Sequence, residues 1–481
     1  MRLPSDIARE RFAGKRVTVV GLAREGVSLV RFLARIGAEV TANDHSSAEE
    51  LATALESLAG LPVRFALGGH PEEIFRDVET VFVSPGVPQQ LGFLVEARRQ
   101  GATLSSETQL FFELCRGKLV GITGSSGKTT TTSLVGEMLT RAGMPVHVGG
   151  NIGVPLLEKI DQIGSEDWAV LEMSSFQLET LPYSPGIGAI LNVTPNHLDR
   201  HDDMGSYAAA KWNMLSHQHP EDWAILSADD PVASGLKPVG RSLGFSLERP
   251  VDGSYLEGDR IVLRRGSAVE TVCDVSQVQL RGRHNLYNVA AASAIASAVG
   301  VSVEAMKNAV VGFRGVAHRL EIVGELDGVI YCNDSIATAP ERSMASLRSF
   351  DEPIVLIAGG RDKHLPMEEW GALIRRRVKA LVLLGEATPL IERAVLEAPG
   401  PALPPILKAV TMVEAVDLAR GAAKLGDVVL LAPGGTSFDQ FKDFEERGDC
   451  FRHCVRNLAS RRGRSAGDSR ASVGVGDYPD T

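Results

Sequence analysis

The chain has 481 residues, so at ~150 residues per domain about three domains are expected. It is 44% hydrophobic and 23% charged, as in an ordinary globular protein, and no apolar run approaches the ~18 residues of a membrane helix. The net charge of −10 excludes a general nucleic-acid or membrane-surface binder, and five scattered cysteines build no disulfide framework, which leaves a cytoplasmic multidomain enzyme.

In chain order, Val17–Val20 reads as a strand, the residues from Gly21 to Gly26 (GLAREG) as a tight turn, and Val27, Val30 and Leu33 as the buried stripe of a helix closed by Gly37. Ala38–Ala42 gives the next strand, ending on Asn43 and Asp44. This is the start of a Rossmann-like unit, with an acidic residue at the expected distance from the first glycine, but Ala23 stands where GxGxxG has its second glycine. A second strand–loop–helix begins near Lys118: Leu119 and Val120 form the strand, GITGSSGKTT the loop, and Leu134, Val135, Met138 and Leu139 the helical stripe, with Gly143 as C-cap. Strands follow at Trp168–Met173 and Ala189–Val193. From Arg241 to Leu280 the pattern turns period-two, reading as hairpins at a sheet edge, and Asn288–Val299 is an alanine-rich helix. Beyond a boundary near Arg314–Arg319, strands at Gly328–Cys332, Ile354–Ala358, Ala380–Leu384 and Asp427–Leu431 alternate with helices. The fold class is α/β in three domains: an N-terminal Rossmann-like domain (1–105), a central P-loop ATPase domain with a mostly parallel sheet (106–316) and a C-terminal Rossmann-like α/β domain (317–458). Residues 459–481 are polar, small and aperiodic, and read as a disordered tail.

The segment Gly121–Thr130 carries the strongest chemistry. Glycines let successive N–H groups face a phosphate, Lys128 adds a point charge, and the Thr129 hydroxyl suits Mg²⁺ at the start of a helix. Ile122 occupies the place of the first glycine of a strict GxxxxGK[ST] motif. Motors, kinases and ligases all use such loops. Glu172, closing an apolar strand in LEMSSFQLE, suits a metal ligand at the carboxyl end of a parallel strand. His197 in NVTPNHLDRH and Lys211 in YAAAKW, taken singly, read equally as a hydrogen-bonded loop histidine and a solvated helical lysine.

Together GITGSSGKTT, GGNIG, LEMSSFQLE, NVTPNHLDRH, YAAAK, GRHNLYN, RGVAHRLE, NDSIAT and APGGTSFDQFKDFEERG, in this order between about residues 14 and 458, resemble the Mur ligase family. The resemblance is to the branch that joins D-glutamate to UDP-N-acetylmuramoyl-L-alanine through an acyl phosphate in peptidoglycan precursor synthesis. It implies ATP and Mg²⁺, the latter at two sites, as cofactors. Gly124, Ser125, Ser126, Gly127, Lys128, Thr129 and Thr130, with Asn288, Arg319 and Asp334, would bind ATP. Thr129, Glu172, His197 and a carbamylated Lys211 would hold metal, and Lys128, His197, Lys211 and Arg319 would serve catalysis. Arg24, Glu25, Asp44, Gly86, Asn151, Ser175 and Gln177 fall where the UDP substrate is bound, and Thr338, Lys363, Ser437 and Phe444 where glutamate is bound. The partners implied are those small molecules alone, with no nucleic acid and no membrane, for a monomer.

Three positions depart from the family pattern. Ile336 replaces the lysine of NDSKAT, removing a cation unless Arg361 compensates, and leaves room for an L-glutamate-adding enzyme. Asn196 replaces an acidic residue, and Ala23 alters the glycine turn. A folylpolyglutamate synthase-like ligase would share the ATPase and C-terminal modules but has no UDP domain, so the first ~105 residues speak against it. A non-ligase P-loop ATPase with a nucleotide-sugar-sensing domain would also carry the phosphate loop. Cys450, His453 and Cys454 offer an incomplete metal set.

Overall fold

A computed structural model describes residues 2–153, 155–195, 200–201, 203–280, 282–363 and 365–468. The chain divides into two compact units, Met1–Phe313 and Arg314–Thr481.

The first unit contains two sheets. Strands β1 (Arg16–Val20), β2 (Glu39–Asp44), β3 (Val63–Leu67), β4 (Thr80–Val83) and β5 (Thr103–Ser105) form an all-parallel sheet in the order β3-β2-β1-β4-β5. Val17, Val19 and Val20 are buried, the run of apolar residues expected of a strand covered on both faces. The order reverses between β1 and β4, and the loops leaving their carboxyl ends form the crevice where such sheets bind ligands.

The second sheet has nine strands: β6 (Lys118–Thr123), β7 (Val146–Gly150), β8 (Trp168–Glu172), β9 (Ile187–Ile190), β10 (Trp223–Ser227), β11 (Arg241–Ser246), β12 (Gly253–Glu257), β13 (Arg260–Arg265) and β14 (Ala268–Asp274). Their order is β14-β13-β12-β11-β10-β9-β6-β8-β7. The expected edge hairpins exist between β12, β13 and β14, but β11 pairs parallel to both β10 and β12. Gly253 makes that pairing possible: its φ is +126°, and a Cβ there would lie 2.0 Å from the Gly244 carbonyl oxygen. One apolar core spans both sheets, joining Phe12, Val17 and Phe32 to Leu157, Leu171, Tyr207 and Met214, so residues 1–105 and the stretch from 106 to the end of the unit pack as one body.

The second unit holds β15 (Glu321–Leu326), β16 (Val329–Asn333), β17 (Ile354–Gly359), β18 (Val378–Leu384), β19 (Ile406–Ala409) and β20 (Val428–Gly434), in the order β15-β16-β20-β17-β18-β19. All pairings are parallel except the β15–β16 hairpin. Its turn is Asp327-Gly328, with φ of 58° and 69°, the signature of a type I′ turn. The last helix, Phe444–Asp468, runs past residue 458, the end of the fold predicted from sequence. Residues 459–468 (ASRRGRSAGD) continue a helix already nucleated upstream, so no new nucleus is needed even with Gly463 and Gly467 in the stretch. The rest of that tail, 469–481, lies outside the described residues. No described helix is long and apolar enough to cross a membrane.

Candidate active site

The phosphate loop links β6 to the helix Lys128–Arg141. Gly127 has φ +80°, and a Cβ there would lie 2.3 Å from Asn288 Oδ1, so glycine is what lets the helix Arg283–Val299 bring Asn288 against the loop. Gly124 is packed against Leu191 beside β9. Ser126 N–H donates to Asn192 Oδ1 (2.8 Å), while Ser125 Oγ donates to Thr194 O (2.9 Å), accepts from Thr194 N–H (3.0 Å) and meets the Tyr207 hydroxyl (3.0 Å). These bonds hold the loop in the shape of a phosphate cradle. Lys128 Nζ folds back across it, donating to Gly124 O (2.8 Å) and Ser125 O (3.4 Å). Thr129 is buried in the first helical turn and Thr130 half-buried.

Lys211 lies under this loop. The helix Met204–Ser216 is started by Asp203, whose carboxylate accepts from Ser206 N–H (2.7 Å), and it carries Lys211 inward until 2% of the residue is exposed. Nζ donates to Thr123 Oγ1 (3.5 Å) and sits 4.5 Å from the centre of the Tyr207 ring. Among the described residues no carboxylate pairs with it. Burial, reinforced by the Lys128 charge, pulls its pKa from 10.5 down to about 7. Glu172 ends β8 with 3% exposed; Oε1 accepts from Asn151 Nδ2 (3.2 Å), while Oε2 is buried without a hydrogen bond among the described residues. A carboxylate oxygen left bare in this way at the carboxyl end of β8, the strand next to β6 and its phosphate loop, fits a hard cation such as Mg²⁺, which binds through few protein oxygens and keeps water. Among the described residues no group of three or more His, Cys, Asp or Glu side chains is placed to hold a metal. His197 and Asn196 lie outside the described residues. His201, which carries no signal of its own in the sequence, is buried, its Nε2 3.0 Å from Ser175 Oγ and its ring stacked on Phe176.

At the carboxyl edge of the five-stranded sheet, Asp44 accepts from Leu22 N–H (2.7 Å) and Ser46 N–H (2.9 Å), so it holds the glycine turn. Ala23 is the N-cap of the helix Arg24–Arg35 with φ −72°, a conformation that needs no glycine; Gly26 is the demanding position, since a Cβ there would lie 1.8 Å from Gly21 O. The altered fingerprint therefore leaves the turn intact. Arg24 donates to Gly153 O (2.9 Å) and Gly150 O (3.3 Å). Arg200 donates to Gly86 O and Pro85 O and lies over Phe176. Glu25 and Gln177, both expected to face the UDP substrate, bond to each other: Gln177 Nε2 donates to Glu25 Oε1 at 2.7 Å. Burial pushes Glu25 up to about 7 against the pull of Arg24 and Gln177, and pushes neighbouring Glu107 well above the usual carboxylate range. Ser175 is also buried beneath this joint. A cavity of about 20 Å³, room for one water, is lined by Glu107, Thr108, Glu172 and Gln177.

In the second unit, Asp334 follows β16 and accepts from Leu320 N–H (3.0 Å) and the Ser346 hydroxyl; burial raises its pKa. Arg319 is flanked by His318 and Leu320, with φ of 62° and 43°, and this unusual backbone is anchored by Glu321, which accepts from His318 N–H (2.9 Å) and from both arms of Arg452 (3.0 and 2.9 Å). Lys363 Nζ donates to Thr338 Oγ1 (3.4 Å). Ser437 is buried, and Phe444 accepts from Ser335 Oγ (2.8 Å) through its carbonyl. Sequence reasoning misses Arg447, a buried cation in EERG that donates to Ser335 Oγ (3.0 Å), Ser335 O (2.9 Å) and Gly435 O (3.1 Å), with its pKa lowered by burial to about 10. Arg361 does not stand in for the missing lysine, because it pairs with Glu386 through two bonds (2.9 and 3.2 Å). Cys450 and Cys454 touch one another, and this contact lowers the Cys450 thiol to about 7.

A parallel sheet, a glycine-rich phosphate cradle at a helix N-terminus and a bare carboxylate on the adjacent strand define a P-loop α/β enzyme. Family models match three consecutive stretches: the MurD-like N-terminal domain of Mur ligases over residues 15–106, the Mur ligase middle domain over 122–296, and the Mur ligase glutamate ligase domain over 318–435. The chain is 43% identical over 451 residues to the UDP-N-acetylmuramoylalanine–D-glutamate ligase of Pelotomaculum thermopropionicum, covering 93% of this chain and 98% of the other. It is 42% identical over 450 residues to the protein of that name from Symbiobacterium thermophilum, covering 92% and 98%. In fold it is similar to UDP-N-acetylmuramate-alanine ligase of Thermotoga maritima, with TM-score 0.57, 18% identity and coverage of 93% and 99%. The chain belongs to the Mur ligase family.

Proposed function

We propose that this chain is an ATP-dependent ligase that joins D-glutamate to UDP-N-acetylmuramoyl-L-alanine, in peptidoglycan precursor synthesis. The observation that carries the reading is the grouping around one phosphate loop of Lys128, the bare Oε2 of Glu172, and a buried Lys211 that has no carboxylate partner among the described residues. The names of the relatives support the substrate and the D configuration.

A carboxylate is a poor acyl donor, so the terminal alanine carboxylate is first converted to an acyl phosphate by the γ-phosphoryl group of ATP. Lys128 and the loop N–H groups orient that group and offset its charge. Mg²⁺, held by Glu172 and Thr129 when bound, supplies Lewis-acid stabilisation of the phosphoryl oxygens. The neutral Nζ of Lys211 attacks CO₂, forms an N–C bond and loses a proton, giving an anionic carbamate and replacing a buried cation with an oxygen donor for a second Mg²⁺. The amine of glutamate then attacks the acyl carbon, and phosphate leaves. Assignment of Asn288, Arg319 and Asp334 to the nucleotide, and of Arg24, Asp44, Gly86 and Asn151 to the UDP substrate, rests on motif position. The enzyme acts as a cytoplasmic monomer.

The test is ADP release by the purified protein with each substrate omitted in turn. Release requires UDP-N-acetylmuramoyl-L-alanine and D-glutamate together. Turnover with L-glutamate alone, or hydrolysis that ignores the amino acid, would overturn the proposal.

A further inference from the structure

In the second unit, the segment after β16 reads Asn333-Asp334-Ser335-Ile336-Ala337-Thr338, with an isoleucine where the family pattern has a lysine. The cations nearby differ in how they are spent. Arg361 is bound by Glu386. Arg447 gives its N–H groups to Ser335 and Gly435, which makes it a strut for this segment. Arg342 is different. It stands in the first turn of the helix Pro340–Leu347, whose N-cap, Ala339, follows Thr338 directly, and it is exposed. Among the described residues its guanidinium has no hydrogen bond and no ion pair. Lys363, hydrogen-bonded to Thr338, is exposed; its pKa is lowered by partial desolvation and by the charges of Arg342 and Arg447. Asp334, the acid of this segment, feels the Arg342 charge but is buried and occupied by Leu320 N–H and Ser346, and Glu341 beside Arg342 in the first helical turn makes no ion pair with it among the described residues. Arg342 and Arg447 thus both work against the charge of Lys363 beside a helix N-terminus, an arrangement that an incoming anion relieves.

We propose that Arg342 is a substrate-binding residue that supplies the cation missing at position 336, so that Arg342 and Lys363 each take one of the two carboxylates of the incoming glutamate. A planar guanidinium presented from a helix start can bind a carboxylate through two parallel hydrogen bonds, which a lysine at 336 would not do. This role rests on the glutamate-ligase reading.

The test is steady-state kinetics of the full-length enzyme carrying Arg342→Ser. Loss of one charge-assisted contact raises the KM for D-glutamate by roughly 10- to 100-fold. The KM for ATP and for UDP-N-acetylmuramoyl-L-alanine stays within about twofold of the parent, and thermal unfolding is unmoved because the side chain is exposed. Arg342→Lys recovers part of the loss, and Ile336→Lys added to Arg342→Ser recovers more, which a merely structural role would not produce. An unchanged KM for glutamate, or a rise confined to ATP, overturns the role of Arg342 while leaving the ligase reading intact. Absence of glutamate-dependent ADP release in the parent enzyme overturns both.

Discussion

Lys211 offers the most searching test, because its chemistry follows from burial, reinforced by the charge of Lys128. An ordinary lysine with a pKa of 10.5 is neutral at pH 7 in roughly 1 molecule in 3,000, whereas one lowered to about 7 is neutral in about half. The supply of nucleophilic amine for CO₂ is thus raised by about three orders of magnitude over a surface lysine. The sign is set by the direction of the shift: below pH 7 the amine is protonated and unreactive, and above it the amine is free. Incubation with ¹³C-bicarbonate should therefore place one carbamate carbon per chain, read by ¹³C NMR, whose intensity falls as pH drops through about 7. Lys211→Ala should lose that signal and at least about 100-fold in turnover, since a positioned metal-ligand anion is gone, and formate or acetate should restore part of the rate. A carbamate signal that persists in Lys211→Ala, or one with no dependence on pH between 6 and 8, would refute the reasoning.

Three further outcomes are expected. Lys128→Ala abolishes turnover, because it removes the cation that lies across the phosphate loop on the carbonyls of Gly124 and Ser125; residual ligation above about 1% of the parent rate would count against its role. Gly127→Ala forces a left-handed residue and a 2.3 Å approach to Asn288, so it weakens ATP binding and costs on the order of 1–3 kcal/mol, measurable by calorimetric titration and denaturant unfolding. Glu25, raised from 4.5 to about 7, binds a proton in the folded chain that the unfolded chain releases, so stability present below pH 4.5 is lost as pH rises through 7, by up to about 3 kcal/mol. Glu25→Gln mimics the protonated form and should flatten that slope in unfolding curves at pH 5 and pH 8; an unaltered slope would show that the burden lies on Glu107.

The parts of the fold legible in the sequence are those encoded by neighbouring residues. GITGSSGKTT announces its strand, cradle and helix because all three elements are consecutive, and the Rossmann-like opening is readable for the same reason. The strand β15 is harder to read, because its pairing partner β16 is recognised more easily than the Asp327-Gly328 turn that joins them. The parallel pairing of β11 and β12 is not legible, since period-two alternation marks a strand but says nothing of direction; Gly253 reveals the close approach only when the partner strand is in place. The weak fingerprint at Ala23 proves harmless for a conformational reason, a φ that any residue adopts. The burial of His201 in NHLDRH is beyond sequence reasoning, because its stacking on Phe176 depends on a residue well back along the chain.

Sequence by itself determined the phosphate loop, the alternation of strands and helices, and the order of motifs that marks the family, because each depends on residue types at fixed short spacing. Tertiary structure alone decided which groups are spent and which are bare. Glu25 and Gln177 are 152 residues apart and satisfy each other, Arg361 is claimed by Glu386, and Arg342 is left without a partner among the described residues. Lys211 becomes reactive only because packing removes water from its ammonium and sets Thr123, Tyr207 and Lys128 around it. Desolvation and pairing are properties of distant segments brought together, and they convert a familiar set of residues into a site with a particular chemistry.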